Sequence, residues 1–209
     1  MKHLIIAGAG EFGRELYWTV QGSKGFGLEF DIKGYIDDNP DQEKISKLQK
    51  PCFGTIDKYK IEEDDVFTCA IANPSTREIV IKKLVEKGAE FIDIIHDSSI
   101  IHGSVKYGKG LIVSPFSIIG DCSIVGEYVV LNGFSGIGHD CIIGDYTCIM
   151  SQCDITGHTE IGKKVFFGGG ARTIPKAKIG DEAYIGAGSV VLRKVKAGTK
   201  VFGNPAKAI

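Results

Sequence analysis

The sequence predicts two architectures in one chain, a small α/β domain over residues 1–96 and an all-β solenoid over residues 97–209. Three observations carry this. The first part alternates short apolar runs with helical spacings, as α/β domains do. From Ile101 to Phe202 the chain then repeats every six residues. The rhythm takes over near His96–Ile100, which sets the boundary.

Residues 3–9, HLIIAGA, read as a buried strand running into a Gly-rich turn. Helical spacing follows over Glu11–Gln21 through Phe12, Leu16, Trp18 and Val20. A second strand, Ile32–Ile36, is expected to stop at the turn signal Asp37-Asp38-Asn39-Pro40. Val66–Ala72 reads as a third strand, and Asn73-Pro74-Ser75 as the cap of a helix over Thr76–Lys87. Phe91–Ile95 reads as a last strand. This alternation implies a parallel sheet of Rossmann type. Gly8-Ala9-Gly10-Glu11-Phe12-Gly13 has G-x-G-x-x-G spacing between a strand and a helix, where a phosphate-bearing ligand can meet a helix N-terminus. In the dinucleotide version of this motif an acidic residue ends the second strand, a place Asp37 or Asp38 fills. A tight turn needed only for packing is the alternative.

The second half reads in seventeen hexads. First positions such as Ile137, Ile143, Ile149, Ile155 and Ile161 are aliphatic or aromatic, with Thr173 and Ala197 as exceptions. Fifth positions such as Ser135, Cys141, Thr147, Cys153 and Thr159 are small or β-branched, and second positions are Gly in ten hexads. A fixed short period marks a solenoid whose repeats bury their apolar faces by stacking. Six residues make a short strand and a tight corner, at which Gly is expected to supply backbone freedom. Three hexads close a triangular coil. Residues eighteen apart therefore stack ~4.8 Å from one another, the inter-strand distance.

Composition narrows the function classes. Residues 1–96 carry 13 Lys and Arg against 17 Asp and Glu, and residues 97–209 carry 12 against 9. Lys163–Lys207 holds ten basic residues and two acidic ones, which suits a polyphosphate ligand better than nucleic acid, for which the chain is neither basic enough nor interleaved with aromatics. No apolar run is long enough to span a membrane, and the N-terminus lacks a secretory layout. A cytoplasmic protein is expected. Its six Cys form no CxxC pair, and packing thiols are expected rather than disulfides.

The hexads Ile137-Gly138-His139-Asp140-Cys141-Ile142 and Ile143-Gly144-Asp145-Tyr146-Thr147-Cys148 resemble the left-handed parallel β-helix of the hexapeptide-repeat transferases. Together with the Gly-rich turn and the strand ending in Asp37-Asp38, the whole chain resembles the bacterial sugar O- and N-acetyltransferases. That group includes sialic acid O-acetyltransferases and enzymes that N-acetylate nucleotide-linked 4-amino sugars for glycans and lipopolysaccharide. The resemblance implies acetyl-CoA as cosubstrate, a nucleotide-linked amino-sugar as acceptor, and a homotrimer with the coenzyme groove between neighbours. It also implies that the N-terminal domain holds the nucleotide-sugar rather than NAD, through Gly10, Glu11, Phe12, Asp37, Asp38 and the strand end at Ala72, where the family often has Gly.

Of the five His, His3, His96 and His102 read as structural, which leaves His139 and His158. His139 sits at a coil corner with Asp140 beside it, a base with a group to orient it. An ordinary turn histidine is the plain alternative. The resemblance places the catalytic base at His139, followed in relatives by an acidic residue that is usually Glu. Eighteen residues on lies Gly157, whose N–H could polarise a thioester carbonyl, and the resemblance points to the same residue. Gly157, Gly169 and Ala187 are expected to form one column of small residues, a groove for the pantetheine arm leading to the Lys-rich last coils. Cys148 stands where many relatives carry a second His that contacts acetyl-CoA; either His158 substitutes for it in space or Cys148 serves packing alone. Some hexapeptide solenoids are zinc-dependent carbonic anhydrases, but the closely spaced His pair they need does not occur here, so no metal is expected. Two readings stay open beside N-acetylation: transfer to a sugar hydroxyl, as in sialic acid O-acetylation, and a non-catalytic sugar-nucleotide-binding solenoid.

Overall fold

The computed structural model describes residues 1–39 and 41–209, so Pro40 of the expected Asp37–Pro40 turn lies outside the described residues. The chain divides into two compact units, Met1–Asp97 and Ser98–Ile209.

The first unit is built on a parallel sheet of order β2-β1-β3, with β1 Lys2–Ala7, β2 Phe30–Ile36 and β3 Asp65–Cys69. The central strand is buried at Leu4, Ile5, Ile6 and Ala7, as a strand covered on both faces requires. Helix α1, Glu11–Gln21, buries Gly13, Leu16, Tyr17 and Val20, one stripe at three- and four-residue spacing. Trp18, expected on that stripe, is instead exposed and packs edge-on against Tyr17. A four-residue helix α2, Gln42–Ile45, was not expected, because it has no apolar period and buries nothing. Helix α3, Pro74–Glu86, starts where Asn73 accepts a hydrogen bond from the Thr76 N–H at 2.9 Å. β3 stops before Ala72 because the carbonyls of Ile71 and Ala72 turn to the buried guanidinium of Arg77, at 2.8 and 3.2 Å. The last strand, β4, is only Ile94–Ile95, with Phe91 held by a single bridge to Phe67.

One buried charge anchors the sheet edge. The Asp65 carboxylate accepts from Lys33 Nζ at 2.8 Å, Tyr59 Oη at 2.7 Å and the Glu62 N–H at 2.8 Å. Burial alone would raise its pKa, but these three donors outweigh burial and hold it below the usual carboxylate range.

In the second unit short strands from Ile100–Ile101 onward stack in parallel on three faces of a solenoid. The register is eighteen: Gly136 lies between Ile118 and Asp154, Ile142 between Ile124 and Glu160, and Val130 between Ile112 and Cys148. First-position side chains fill the interior, with Ile137, Ile143, Ile149, Ile155 and Ile161 all buried. The small fifth-position residues are buried too, and their polar atoms are satisfied. Three of them donate to the second-position carbonyl one coil on: Ser123 to Gly138 at 2.8 Å, Ser135 to Met150 at 2.8 Å, Thr147 to Gly162 at 2.9 Å.

Two expectations are corrected here. Nine of the ten second-position glycines do not supply positive φ; Gly198 does, beyond the shift of register in the last coil. That conformation falls at the fourth position, and eleven non-glycine residues adopt it, among them Phe116, Tyr128, Asp140 and His158. The second position is Gly because coils approach too closely there for a Cβ: at Gly144 it would lie 2.5 Å from the Gly162 carbonyl carbon, and at Gly138 2.7 Å from the Gly157 nitrogen. The repeat also does not run unbroken to Phe202. Ile179 pairs with Val195 and Ile185 with Val201, a register of sixteen in the last coil. Val195 and Val201 therefore take the buried aliphatic places, and Ala197, which broke the pattern, is exposed.

These two kinds of glycine should respond oppositely to substitution. Gly144→Ala forces a Cβ into backbone and should cost about 1–3 kcal/mol. Gly188→Asn keeps a left-handed corner that opens on free space (φ 67°) and should shift the thermal midpoint little. Thermal unfolding of both variants checks the assignment; equal losses would contradict it.

Candidate active site

The residues of one coil corner, 138–141, join the strands Gly136–Ile137 and Ile142–Ile143. His139 projects from this corner, exposed, and its Nδ1 lies 2.7 Å from Asp140 Oδ2. The left-handed backbone at Asp140 (φ 55°) brings its short side chain alongside the preceding imidazole. A carboxylate that accepts from Nδ1–H fixes the tautomer and leaves Nε2 as the basic nitrogen.

The eighteen-residue stacking puts Gly157 directly against this ring. A Cβ on Gly157 would lie 2.6 Å from His139 Nε2 and 2.8 Å from Cε1, so only glycine lets the imidazole rest there. The Gly157 carbonyl accepts from Lys176 N–H at 3.1 Å, whereas its N–H has no partner among the described residues. A basic nitrogen and an unused backbone donor thus share one edge. His158, next in the chain, packs edge-on to His139 with ring centroids 5.0 Å apart, and its Nε2 lies 3.9 Å from Asp140 Oδ2. His139, Asp140 and His158 bring three ligand-type atoms within 4.8 Å of one another. The 2.7 Å His139–Asp140 contact is nevertheless hydrogen-bond length, shorter than the roughly 3.3 Å between two ligands of one tetrahedral ion.

Three expected site residues lie elsewhere. Gly169 and Ala187 do not share a column with Gly157. Gly169 stacks on Ser151, and its carbonyl accepts from Gly188 N–H at 2.9 Å. Twelve residues are two-thirds of a coil, so Gly169 and Ala187 line a different corner. Cys148 is buried on another face, its sulfur 3.9 Å from Met150 Sδ, and does not meet His139 in this chain. The basic end does carry a cavity, of about 680 Å³, lined by Arg193, Lys194, Lys196 and Lys207 among others; none of the corner residues around His139 lines it.

In the first unit the three glycines of the turn divide their roles. Gly8 has φ 110°, and a Cβ there would meet the Ala70 carbonyl oxygen at 2.8 Å. A Cβ on Gly13 would meet the Gly8 carbonyl oxygen at 2.0 Å, so this glycine permits close helix–strand packing. Gly10 faces open space. Beside it lies a cavity of about 280 Å³ lined by Ala9, Gly10, Glu11, Arg14, Lys44 and Lys47 together with Asp41 and Glu43. Arg14, on α1, and Lys44 and Lys47, on α2 and just after it, were not anticipated. Of the expected ligands, Asp37 accepts from the Ala9 N–H at 2.7 Å and so holds the turn. Asp38 accepts from Ile56 N–H at 2.8 Å and from Lys83 Nζ at 2.9 Å, and the Lys83 hydrogen bond leads the contacts that offset burial and lower its pKa. Ala72, Phe12, Asp37 and Asp38 do not line the cavity. Among the residues read as structural, His3 pairs with Asp31 at 2.7 Å across β1 and β2, and His96 packs over Gly22.

Comparison with known proteins follows this division. Residues 3–84 match the PglD N-terminal domain family, and residues 158–193 match bacterial transferase hexapeptide (six repeats). A GDP-perosamine N-acetyltransferase of Escherichia coli O157:H7 is 32% identical over 128 residues, a segment covering 59% of this chain and 56% of that protein. The chain thus aligns with little more than half the length of that relative. The fold is shared along the whole chain with the acetyltransferase domain of PglB from Neisseria gonorrhoeae FA1090 (TM-score 0.89, 23% identity, 100% of both chains). It is shared equally with PerB from Caulobacter crescentus, solved with CoA and GDP-perosamine (TM-score 0.89, 24% identity, 100% of this chain and 98% of that one). WeeI from Acinetobacter baumannii AYE is 26% identical with a TM-score of 0.87 over 100% of both chains. The architecture is therefore an α/β unit followed by a left-handed parallel β-helix.

The glycine roles are testable in the first unit. Gly8→Ala and Gly13→Ala should each lower the thermal midpoint of unfolding by several degrees, and Gly10→Ala, which meets no atom but replaces the N-cap of α1, should lower it less. A loss at Gly10 as large as at Gly13 would contradict the open approach assigned to it.

Proposed function

We propose that this chain is a hexapeptide-repeat sugar acetyltransferase that moves acetyl from acetyl-CoA to the amino group of a nucleotide-linked 4-amino-sugar. The observation that carries the mechanism is the His139 imidazole, held by Asp140 and resting on Gly157 with an unused N–H beside it. The sugar ammonium first gives one proton to solvent, and as the resulting amine attacks the thioester carbonyl, His139 Nε2 accepts a second proton from that nitrogen. The C–N bond forms, and negative charge grows on the carbonyl oxygen, which the Gly157 N–H receives. Collapse breaks the C–S bond and the thiolate leaves, taking up the proton held by the imidazolium. Direct attack needs no enzyme thiol. The inward Cys141 and Cys153 are unsuited to one, because burial pushes both thiols up, Cys153 to about 11.

In this reading the Gly10 turn with Arg14, Lys44 and Lys47 holds the diphosphate of the nucleotide-sugar. The Gly169–Ala187 corner belongs to the coenzyme groove as well. Because it lies on a different edge from Gly157, a groove lined by both forms between neighbouring copies of a trimer. The basic last coil receives the coenzyme phosphates. Both substrates are cytoplasmic metabolites, which places the enzyme there, and its product serves cell-surface glycan synthesis. The names of the E. coli and Caulobacter relatives make GDP-linked amino-sugars the first acceptors to test.

Release of free thiol from acetyl-CoA, screened with GDP-, UDP- and dTDP-linked 4-amino-sugars and free sialic acid, decides the acceptor. Turnover with a nucleotide amino-sugar, falling at least about 100-fold in His139→Ala, is expected. Turnover with sialic acid alone would assign O-transfer. Activity within a few-fold of wild type in His139→Ala would overturn the mechanism.

A further inference from the structure

Thr173 is the one polar residue at a buried aliphatic position of the solenoid, 4% exposed where its neighbours along the chain are Phe167 and Ile179. Its hydroxyl changes the local backbone. On this face the second-position N–H normally donates to the carbonyl one coil on, as Gly120 does to Ile137 at 2.7 Å and Gly138 to Ile155 at 2.7 Å. At Thr156 the N–H donates instead to the Thr173 hydroxyl at 3.0 Å, and the displaced Thr173 carbonyl accepts from Thr156 Oγ1 at 2.9 Å. Strand pairing is reduced here to Asp154 with Arg172, where adjacent coils pair two residues.

The hydroxyls close a ring on the same residue. Thr173 Oγ1 lies 3.2 Å from Thr159 Oγ1, which donates at 2.7 Å to the Thr156 carbonyl. Cys141 Sγ donates to that carbonyl from the coil before, at 3.3 Å. The carbonyl belongs to the Thr156–Gly157 peptide, whose nitrogen is Gly157 N. In a trans peptide the N–H points opposite the C=O. Donors that draw the carbonyl inward therefore turn the Gly157 N–H outward, toward the edge His139 occupies. A connected ring of hydrogen bonds closed through the buried Thr159 and Thr173 also stiffens this plane.

We infer that Thr173, through Thr156 and Thr159, is a positioning residue that sets the orientation of the Gly157 N–H; the catalytic consequence rests on the acetyl-transfer reading above. The placement fits the rule that a sequence breaks its own pattern at functional positions. An aliphatic residue would satisfy the repeat and the packing; threonine is kept where the neighbouring peptide carries the donor.

Thr173→Val tests this, since valine has nearly the same shape and restores the repeat, so the fold should survive. Three quantities are read on purified full-length protein: the Gly157 amide signal by NMR, the thermal midpoint, and kcat, KM and the pH profile of acetyl transfer. The expected result is a shifted Gly157 signal, a thermal midpoint no lower than wild type, and kcat down at least about tenfold. KM for acetyl-CoA and the pH of half-maximal rate should stay put, because the base is untouched, and Thr173→Ser should restore kcat. An unmoved Gly157 signal, or full kcat in Thr173→Val, overturns the inference. A kcat loss that Thr173→Ser does not rescue and that follows a fall in thermal midpoint overturns it too. A shifted signal in a protein whose wild type acetylates no amino-sugar would instead sink the acetyl-transfer reading and leave the positioning link standing.

Discussion

The parallel hydrogen-bond ladder between coils, at a register of eighteen residues, is the constraint on which the rest of the second unit depends. It sets neighbouring strands ~4.8 Å apart, and every corner inherits that spacing. Where corners approach most closely at this spacing, as at Gly138 and Gly144, a second-position Cβ has no room, so glycine recurs there. A buried hydroxyl or thiol at the fifth position reaches the carbonyl of the next coil, so small polar side chains are stable inside. The chain leaves each corner through a left-handed residue, which for a non-glycine costs roughly 1–2 kcal/mol and is held in place by the ladder on either side. The same spacing lays the His139 ring on Gly157. The candidate site is thus a by-product of coil geometry, with Asp140 added to orient the ring.

Charge follows the same columns. Lys163 pairs with Asp145 one coil back at 2.8 Å, and Asp181 one coil on accepts from the Lys163 N–H at 2.8 Å, along an edge where Tyr128 and Tyr146 also stack. That edge is spent on cohesion between coils. On the His139 edge the ring and carboxylate pair within one coil and leave Nε2 and the Gly157 N–H without a hydrogen-bond partner among the described residues. The contrast separates an edge that stabilises from one that can react.

Much of this was legible in the sequence because the repeat converts position into geometry. The period gave the coil, and the coil gave the contact between His139 and Gly157. The same ruler, applied strictly, excludes the grouping of Gly157 with Gly169 and Ala187, since twelve residues do not complete a coil. The two-residue contraction before Val195 was masked because valine at either frame looks acceptable, and only the exposed Ala197 betrays it. The role of the corner glycines was misjudged for a physical reason: turn propensity and lack of space select the same residue, and sequence alone cannot separate them. In the first unit the Gly8–Gly13 turn was plain, and α1 was read to its ends. Lys44 and Lys47 were not found, since the four residues of α2 and the turn after it carry no periodic signal, and Arg14 was read only as part of α1. The carboxylates Asp37 and Asp38 were expected at a ligand, and in the structure they hold the turn and Lys83.

The central claim is that one edge of the solenoid offers a base and a backbone donor to the same carbonyl. A crystal structure with a non-transferable acetyl-CoA analogue tests it most directly. The account predicts the acyl oxygen within about 3 Å of the Gly157 nitrogen, with His139 Nε2 on the side from which an amine would approach. An acyl group seated at another corner, or an oxygen bound by some other donor while the Gly157 N–H points away, would contradict it.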